Sequence, residues 1–113
     1  MKSIWKEIEE WNRERGLLDK FDHLNEYAML EEELDEFIDA KTDDEKADAL
    51  CDLIVIATGA LYKLGYDPVC AMGETIHEIK SRRGSIGPDG KWLKDKSPEA
   101  QAKWYKADYN KCR

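Results

Sequence analysis

The chain has 113 residues, 25 acidic against 18 basic for a net charge of −7, and 42% hydrophobic residues including four Trp. This length suits a single domain, 1–113, and the apolar content excludes global disorder. The net negative charge lacks the broad positive field that a duplex backbone requires, so general nucleic-acid binding is excluded.

The N-terminal run MKSIWKEIEEWNRERG has no apolar signal core, and the longest apolar stretch, 53–57 continued to Leu61, is too short for a bilayer. The cytoplasm is the expected compartment, with no membrane partner. Ile4, Trp5, Ile8 and Trp11 fall at helical spacing and predict a first helix from Ser3 to about Arg15, closed by Gly16. A second helical pattern runs from about Asp22 to Ala40, with Tyr27, Leu30, Leu34, Phe37 and Ile38 on one stripe read as the core face. Thr42 with Glu45 forms a capping-box pattern that opens a third, strongly apolar helix, which continues to Gly65. Asp67-Pro68 restarts the chain into a fourth helix ending near Lys80 or Arg82. From Gly84 to Pro98 turn residues dominate and a long loop is expected; Ser97-Pro98-Glu99 then caps a short last helix holding Trp104 and Tyr105. The fold class is therefore all-α, a bundle of four to five helices with a basic loop and tail at about 81–113. So long an apolar third helix in so short a chain predicts completion of the core by homo-oligomerisation, as a homodimer or homotetramer.

Cys51, Cys70 and Cys112 are widely spaced and include no C-x-x-C pair. Neither a disulfide framework nor a zinc site is expected, and Cys51 should pack within its apolar helix. Charge divides unevenly: residues 1–78 carry −13 and residues 79–113 carry +6. That split suits a site where carboxylates hold a cation and basic residues approach a polyphosphate, although an acidic bundle with a basic tail reads the same way.

The carboxylates are placed by helical geometry. At about 100° per residue from Leu30, Glu33 and Glu36 fall at about 300° and 240°, bordering the apolar stripe, while Glu32 points at about 200°, away from the core. On the third helix Asp52 sits among apolar neighbours in LCDLIVIA, with Asp48 one turn earlier on the same face. A carboxylate buried without a partner is costly, so Asp52 should meet a cation, a basic side chain or amide donors. Glu33, Glu36, Asp48 and Asp52 together offer the oxygen ligands that Mg²⁺, or Mn²⁺, prefers, whereas the capping box already accounts for Glu45. As solvated helix faces the same residues would have no such role.

These residues resemble the MazG-like all-α nucleoside triphosphate pyrophosphohydrolases, a superfamily that includes helical dUTP and dCTP hydrolases and phosphoribosyl-ATP pyrophosphohydrolase. The family pattern is E-E-x-x-E, a spacer, then E-x-x-D. Glu32-Glu33-Leu34-Asp35-Glu36 matches the first part, and Ala49-Leu50-Cys51-Asp52 aligns with the second but carries Ala49 at the place of its Glu, for which Asp48 is the replacement expected. The resemblance spans about 24–83 and implies Mg²⁺-dependent hydrolysis of a nucleoside triphosphate to monophosphate and pyrophosphate, as nucleotide-pool housekeeping. Glu33, Glu36, Asp48 and Asp52 would hold the metal, and Glu32 or a liganding Glu (Glu33 or Glu36) would position the water. Lys80, Arg82, Arg83, Lys91 and Lys94 are the candidates to clamp phosphate oxygens. Trp5, Trp11, His23, Asn25 and Tyr27 are candidates to stack on the base or read its edge. The readings that compete are a phosphoribosyl-ATP pyrophosphohydrolase and a non-catalytic helical interaction module.

Overall fold

The structure, a computed structural model, describes residues 3–113. It is all-α apart from one short hairpin. Its contacts form two compact units, one ending at Pro68 and the other running from Val69 to Arg113, and each is described by itself.

The first unit holds three helices: α1 (Ile4–Glu14), α2 (His23–Asp39) and α3 (Asp43–Lys63). Side-chain caps set their starts. Ser3 accepts from the Lys6 amide, Asp22 from the Leu24 and Asn25 amides, and Thr42 from the Glu45 amide. Glu45 reaches back to accept a hydrogen bond from the Thr42 hydroxyl at 3.0 Å, which keeps it on its cap. Gly65, with φ 89°, takes the left-handed conformation that releases the chain after α3.

α3 packs against both α2 and α1. The Tyr62 hydroxyl donates to the Trp5 carbonyl oxygen at 2.9 Å, pinning α3 to α1. Asn12 of α1 is buried beside Gly59 of α3, where a Cβ would stand 3.1 Å from the Asn12 Nδ2. One turn further along α3, Lys63 donates to both carboxylate oxygens of Glu26 on α2, at 3.2 and 3.0 Å.

The apolar stripe of α2 is not the buried face expected of it. Leu34 is 54% and Phe37 36% exposed, Ile38 and Tyr27 are exposed, and Leu50 and Ile54 of α3 are exposed as well.

The second unit contains most of α4 (Pro68–Lys80), then β1 (Gly84–Ile86), β2 (Trp92–Lys94), α5 (Pro98–Gln101) and a 3₁₀ turn, Tyr109–Cys112. Within the stretch 84–98, expected to be loop throughout, residues 84–94 form an antiparallel hairpin in which Ser85 faces Leu93. Strands of three residues are too short to show an alternating pattern. Gly84 is required there, since a Cβ would fall 1.9 Å from the Leu93 carbonyl oxygen. Trp104 and Tyr105 lie beyond the end of α5 rather than within it, because the helix closes at Ala102.

Two further corrections concern cysteines. Cys70 and Cys112 form a disulfide, and Cys51 is exposed rather than packed. The bridge joins α4 to the end of the tail, and a buried carboxylate assists it. Glu74 accepts from the Tyr105 hydroxyl, from the Asp108 amide at 2.9 Å and from Lys111 Nζ at 2.8 Å. The Lys111 bond first, then those of Tyr105 and Asp108, hold its pKa down to about 2. His77 stacks on Tyr105 with ring centroids 3.8 Å apart.

Candidate metal and nucleotide site

The E-E-x-x-E run occupies the middle of α2 and Asp52 the middle of α3, so the antiparallel pairing of the two helices brings their carboxylates together. Glu33, Glu36 and Asp52 each offer an oxygen within 4.8 Å of the other two. Glu33 Oε2 is buried and has no hydrogen-bond partner. The Glu33 pKa is pushed up to about 7, first by hydrogen bonding with Glu36, then by burial and by the charges of Glu36, Asp52 and Glu32. Three acidic groups facing one another, with one oxygen orphaned and one group driven to hold a proton near neutrality, fit a hard divalent cation: its charge and coordination satisfy what no neighbouring side chain does.

Asp48 is not within that radius of the three. It is exposed and lines an adjoining concavity of about 470 Å³ together with Glu32, Asp35, Glu36, Asp39 and Glu45. Ala49, where the resemblance places a Glu, is buried at 2% exposure and offers no side-chain oxygen to a cation.

On the other side of the three carboxylates lies a cavity of about 340 Å³ lined by Trp11, Met29, Glu32, Glu33, Asp52, Val55 and Ile56. Glu32 is exposed and touches both spaces, although it stands outside the group of three. Behind this cavity a narrower slot of about 80 Å³ continues between α1, α2 and α3, and Trp11, Met29, Val55 and Ile56 line both. Gly59 lines the slot, which also meets Asn12, Glu26 and Lys63.

Of the aromatic and polar candidates, Trp11 alone borders these spaces, with the Arg15 guanidinium 4.5 Å over its ring. Trp5 is tied by its carbonyl to Tyr62, and Tyr27 donates its hydroxyl to Glu31 at 2.8 Å. His23 and Asn25 begin α2, are exposed and line none of the three cavities. The basic candidates Lys80, Arg82, Arg83, Lys91 and Lys94 belong to the second unit. Lys80, Arg83, Lys91 and Lys94 are exposed, while Arg82 pairs with Glu78 at 3.5 Å and sits 5.5 Å over the Trp104 ring.

Asn12, Glu26 and Lys63 escaped the sequence reading. Asn12 carried a signal, since it stands one turn after Ile8 beside the apolar stripe of α1. Lys63, in the last turn of α3, reads from sequence as a cation complementing the helix dipole, and Glu26 as an anion doing the same at the start of α2.

The sequence pattern of the phosphoribosyl-ATP pyrophosphohydrolase family matches residues 5–79, a span that takes in α1 to α3, all three clustered carboxylates and most of α4. No curated protein and no solved structure matches the chain.

Proposed function

The chain belongs to the phosphoribosyl-ATP pyrophosphohydrolase family, and from that premise we propose that it cuts the α–β phosphoanhydride of a nucleoside triphosphate, releasing a nucleoside monophosphate and pyrophosphate with the help of a divalent cation. The observation that carries the reading is the convergence of Glu33, Glu36 and Asp52 with a buried oxygen left unpaired. These three residues hold Mg²⁺, or Mn²⁺ in its place. When bound, the cation neutralises phosphate charge and polarises the anhydride.

The chain's own groups do the rest. Glu32 faces the cavity beside the three ligands. It accepts the proton of the attacking water as the new O–P bond forms, while the bridging oxygen leaves with pyrophosphate. Asp48, in the adjoining concavity with Glu36, adds charge that draws the cation in without binding it directly. Arg82 is assigned to holding Trp104. The exposed residues Leu34, Ile38, Leu50 and Ile54 are covered by a second copy of the chain in a homo-oligomer. The setting proposed is the cytoplasm, where nucleotide pools are policed.

Phosphoribosyl-ATP itself is the second reading, favoured by the description of the family. The test sets both kinds of substrate against the wild-type protein and Glu32→Gln. Mg²⁺-dependent turnover that falls at least about a hundredfold in Glu32→Gln, with cation affinity retained, supports the assignment of Glu32 as base. Unchanged turnover refutes it.

A further inference from the structure

We propose that residues 105–112 form a redox-gated strap on α4. Thiol–disulfide exchange with a dithiol opens and closes the Cys70–Cys112 bridge, and a hub of bonds at Glu74 keeps the strap docked while the bridge is open, so that the same pair closes again. The inference stands apart from the reaction assigned above, since every residue of the strap and its seat belongs to the second unit.

The strap runs back along one face of α4. Cys70, Glu74, His77 and Ser81 recur every three or four residues, the spacing of a single helical face. Ser81 Oγ, just past the end of the helix, accepts from the Tyr105 amide at 2.7 Å. Glu78 Oε1 accepts from the Ala107 amide at 3.3 Å, and the hydroxyls of Thr75 and Tyr109 lie 2.9 Å apart. Glu74 gathers Tyr105, Asp108 and Lys111 at the centre, and the bridge fastens the far end. None of the hydrogen bonds passes through a sulfur. Opening the bridge therefore removes one fastening of several, and the charge-assisted bonds at Glu74 remain.

Two features separate this bridge from a staple that never opens. A structural disulfide usually holds what a small core cannot, whereas this strap is already held by the hub. Cys51, moreover, is a free and exposed thiol in the same chain. Beside a disulfide in an oxidising compartment such a thiol invites exchange, and it is tolerated where thiols stay reduced, the setting in which disulfides form and break. Cys112 is 3% exposed and Cys70 half-buried, so the thiolate of the reductant attacks the Cys70 sulfur. The S–S bond breaks as a mixed disulfide forms, and Cys112 leaves as a thiolate that takes up a proton. The second thiol of the reductant then displaces Cys70, which takes up another proton, so that two electrons pass to the bridge and the reductant departs as a disulfide. With the bridge closed the strap is pinned to α4; with it open, the hub alone decides whether Cys70 and Glu74 stay covered.

The experiment equilibrates the full chain, carrying Cys51→Ser so that only the pair titrates, in mixtures of reduced and oxidised dithiothreitol, and counts free thiols by alkylation and mass. The same series is run with Glu74→Gln or Lys111→Met added. In the parent protein the bridge should open and close reversibly with helix content unchanged. The protection factors of the Ala107 and Asp108 amides should fall at least about tenfold on opening, yet stay above those of an unfolded chain. In Glu74→Gln the open strap leaves α4, so closing must first bring it back, and the equilibrium constant for closing should drop at least about tenfold. Lys111→Met, which removes one bond to the hub, should lower that constant by less. A bridge that stays closed in the folded protein under excess dithiothreitol, or one whose opening unfolds the helix beneath it, overturns the switch and leaves a structural staple. Closing constants in both variants equal to that of the parent overturn the part given to the hub. Should Glu74→Gln fail to fold, Lys111→Met decides the point, an unchanged constant being the refuting result.

Discussion

Cation binding should compete with a proton on Glu33, and the structure sets the pH window. The Glu33 pKa stands near 7, raised chiefly by its hydrogen bond with Glu36, so the metal-free carboxylate is about half protonated at neutrality and must give up that proton to become a ligand. For one proton displaced per ion, the apparent dissociation constant for Mn²⁺ should change little above pH 8 and rise about thirtyfold between pH 8 and pH 5.5. Calorimetric titration in two buffers of different ionisation enthalpy reads both quantities, the affinity and the protons released. The stability of the metal-free protein follows with its own sign. Because Glu33 is raised in the folded state, folded molecules bind more protons than unfolded ones between about pH 4.5 and 7, and Glu33 contributes stability as pH falls through that window and loses it as pH rises. Asp52→Asn removes one of the charges that raise Glu33 and should shift the whole affinity profile toward lower pH, while weakening binding at every pH. A Mn²⁺ affinity that is flat from pH 5.5 to 8, with no proton released, would refute the convergence of the three carboxylates on one ion.

Asp48→Asn should weaken Mn²⁺ binding by no more than about threefold, against at least about a hundredfold for Asp52→Asn; equal losses on titration would restore Asp48 to the ligand set. Gly59→Ala should lower stability by about 1 kcal/mol in chemical denaturation, because the gain in helix propensity is outweighed by pushing Asn12 off its buried bond to Ile8; a more stable variant would refute that close approach. Glu74, depressed to about 2, contributes stability that is complete above about pH 4.5 and is lost as pH falls toward 2. The protection factor of the Asp108 amide, its intrinsic exchange rate relative to the observed rate at each pH, should therefore fall across that interval, and in Glu74→Gln it should be low already at pH 6. The mass in solution at micromolar concentration should be that of a homo-oligomer, and a fully active monomer would contradict the covering of Leu34, Ile38, Leu50 and Ile54 by a second copy.

The local signals in this sequence were legible because each has a cause within a few residues. Ser3, Asp22 and Thr42 cap helices through bonds to amides two or three positions on. Gly65 ends α3 because few other residues adopt its backbone angle. The pairing of Glu33 and Glu36 with Asp52 was legible too, since helical spacing fixes which carboxylates share an edge and a short connection turns α3 back along α2. What escaped depends on contacts distant in sequence. Cys70 and Cys112 are 42 positions apart, and nothing in their spacing says that the tail returns to α4. Glu26 and Lys63 are each ordinary charges near a helix end until α2 and α3 pack, and only then do they become a buried pair. Periodicity marked the apolar face of α2 correctly as a face, but it could not say whether the same chain covers it, and Leu34 at 54% exposure shows that it does not.

The most direct measurement is the identity and ratio of the phosphorus products formed from a nucleoside triphosphate, followed by ³¹P NMR with Mg²⁺, with chelator, and with Glu36→Gln. The account predicts nucleoside monophosphate and pyrophosphate in equal amounts with Mg²⁺, and neither with chelator or in the folded Glu36→Gln protein. Release of orthophosphate with a nucleoside diphosphate, or full turnover in folded Glu36→Gln, would contradict it.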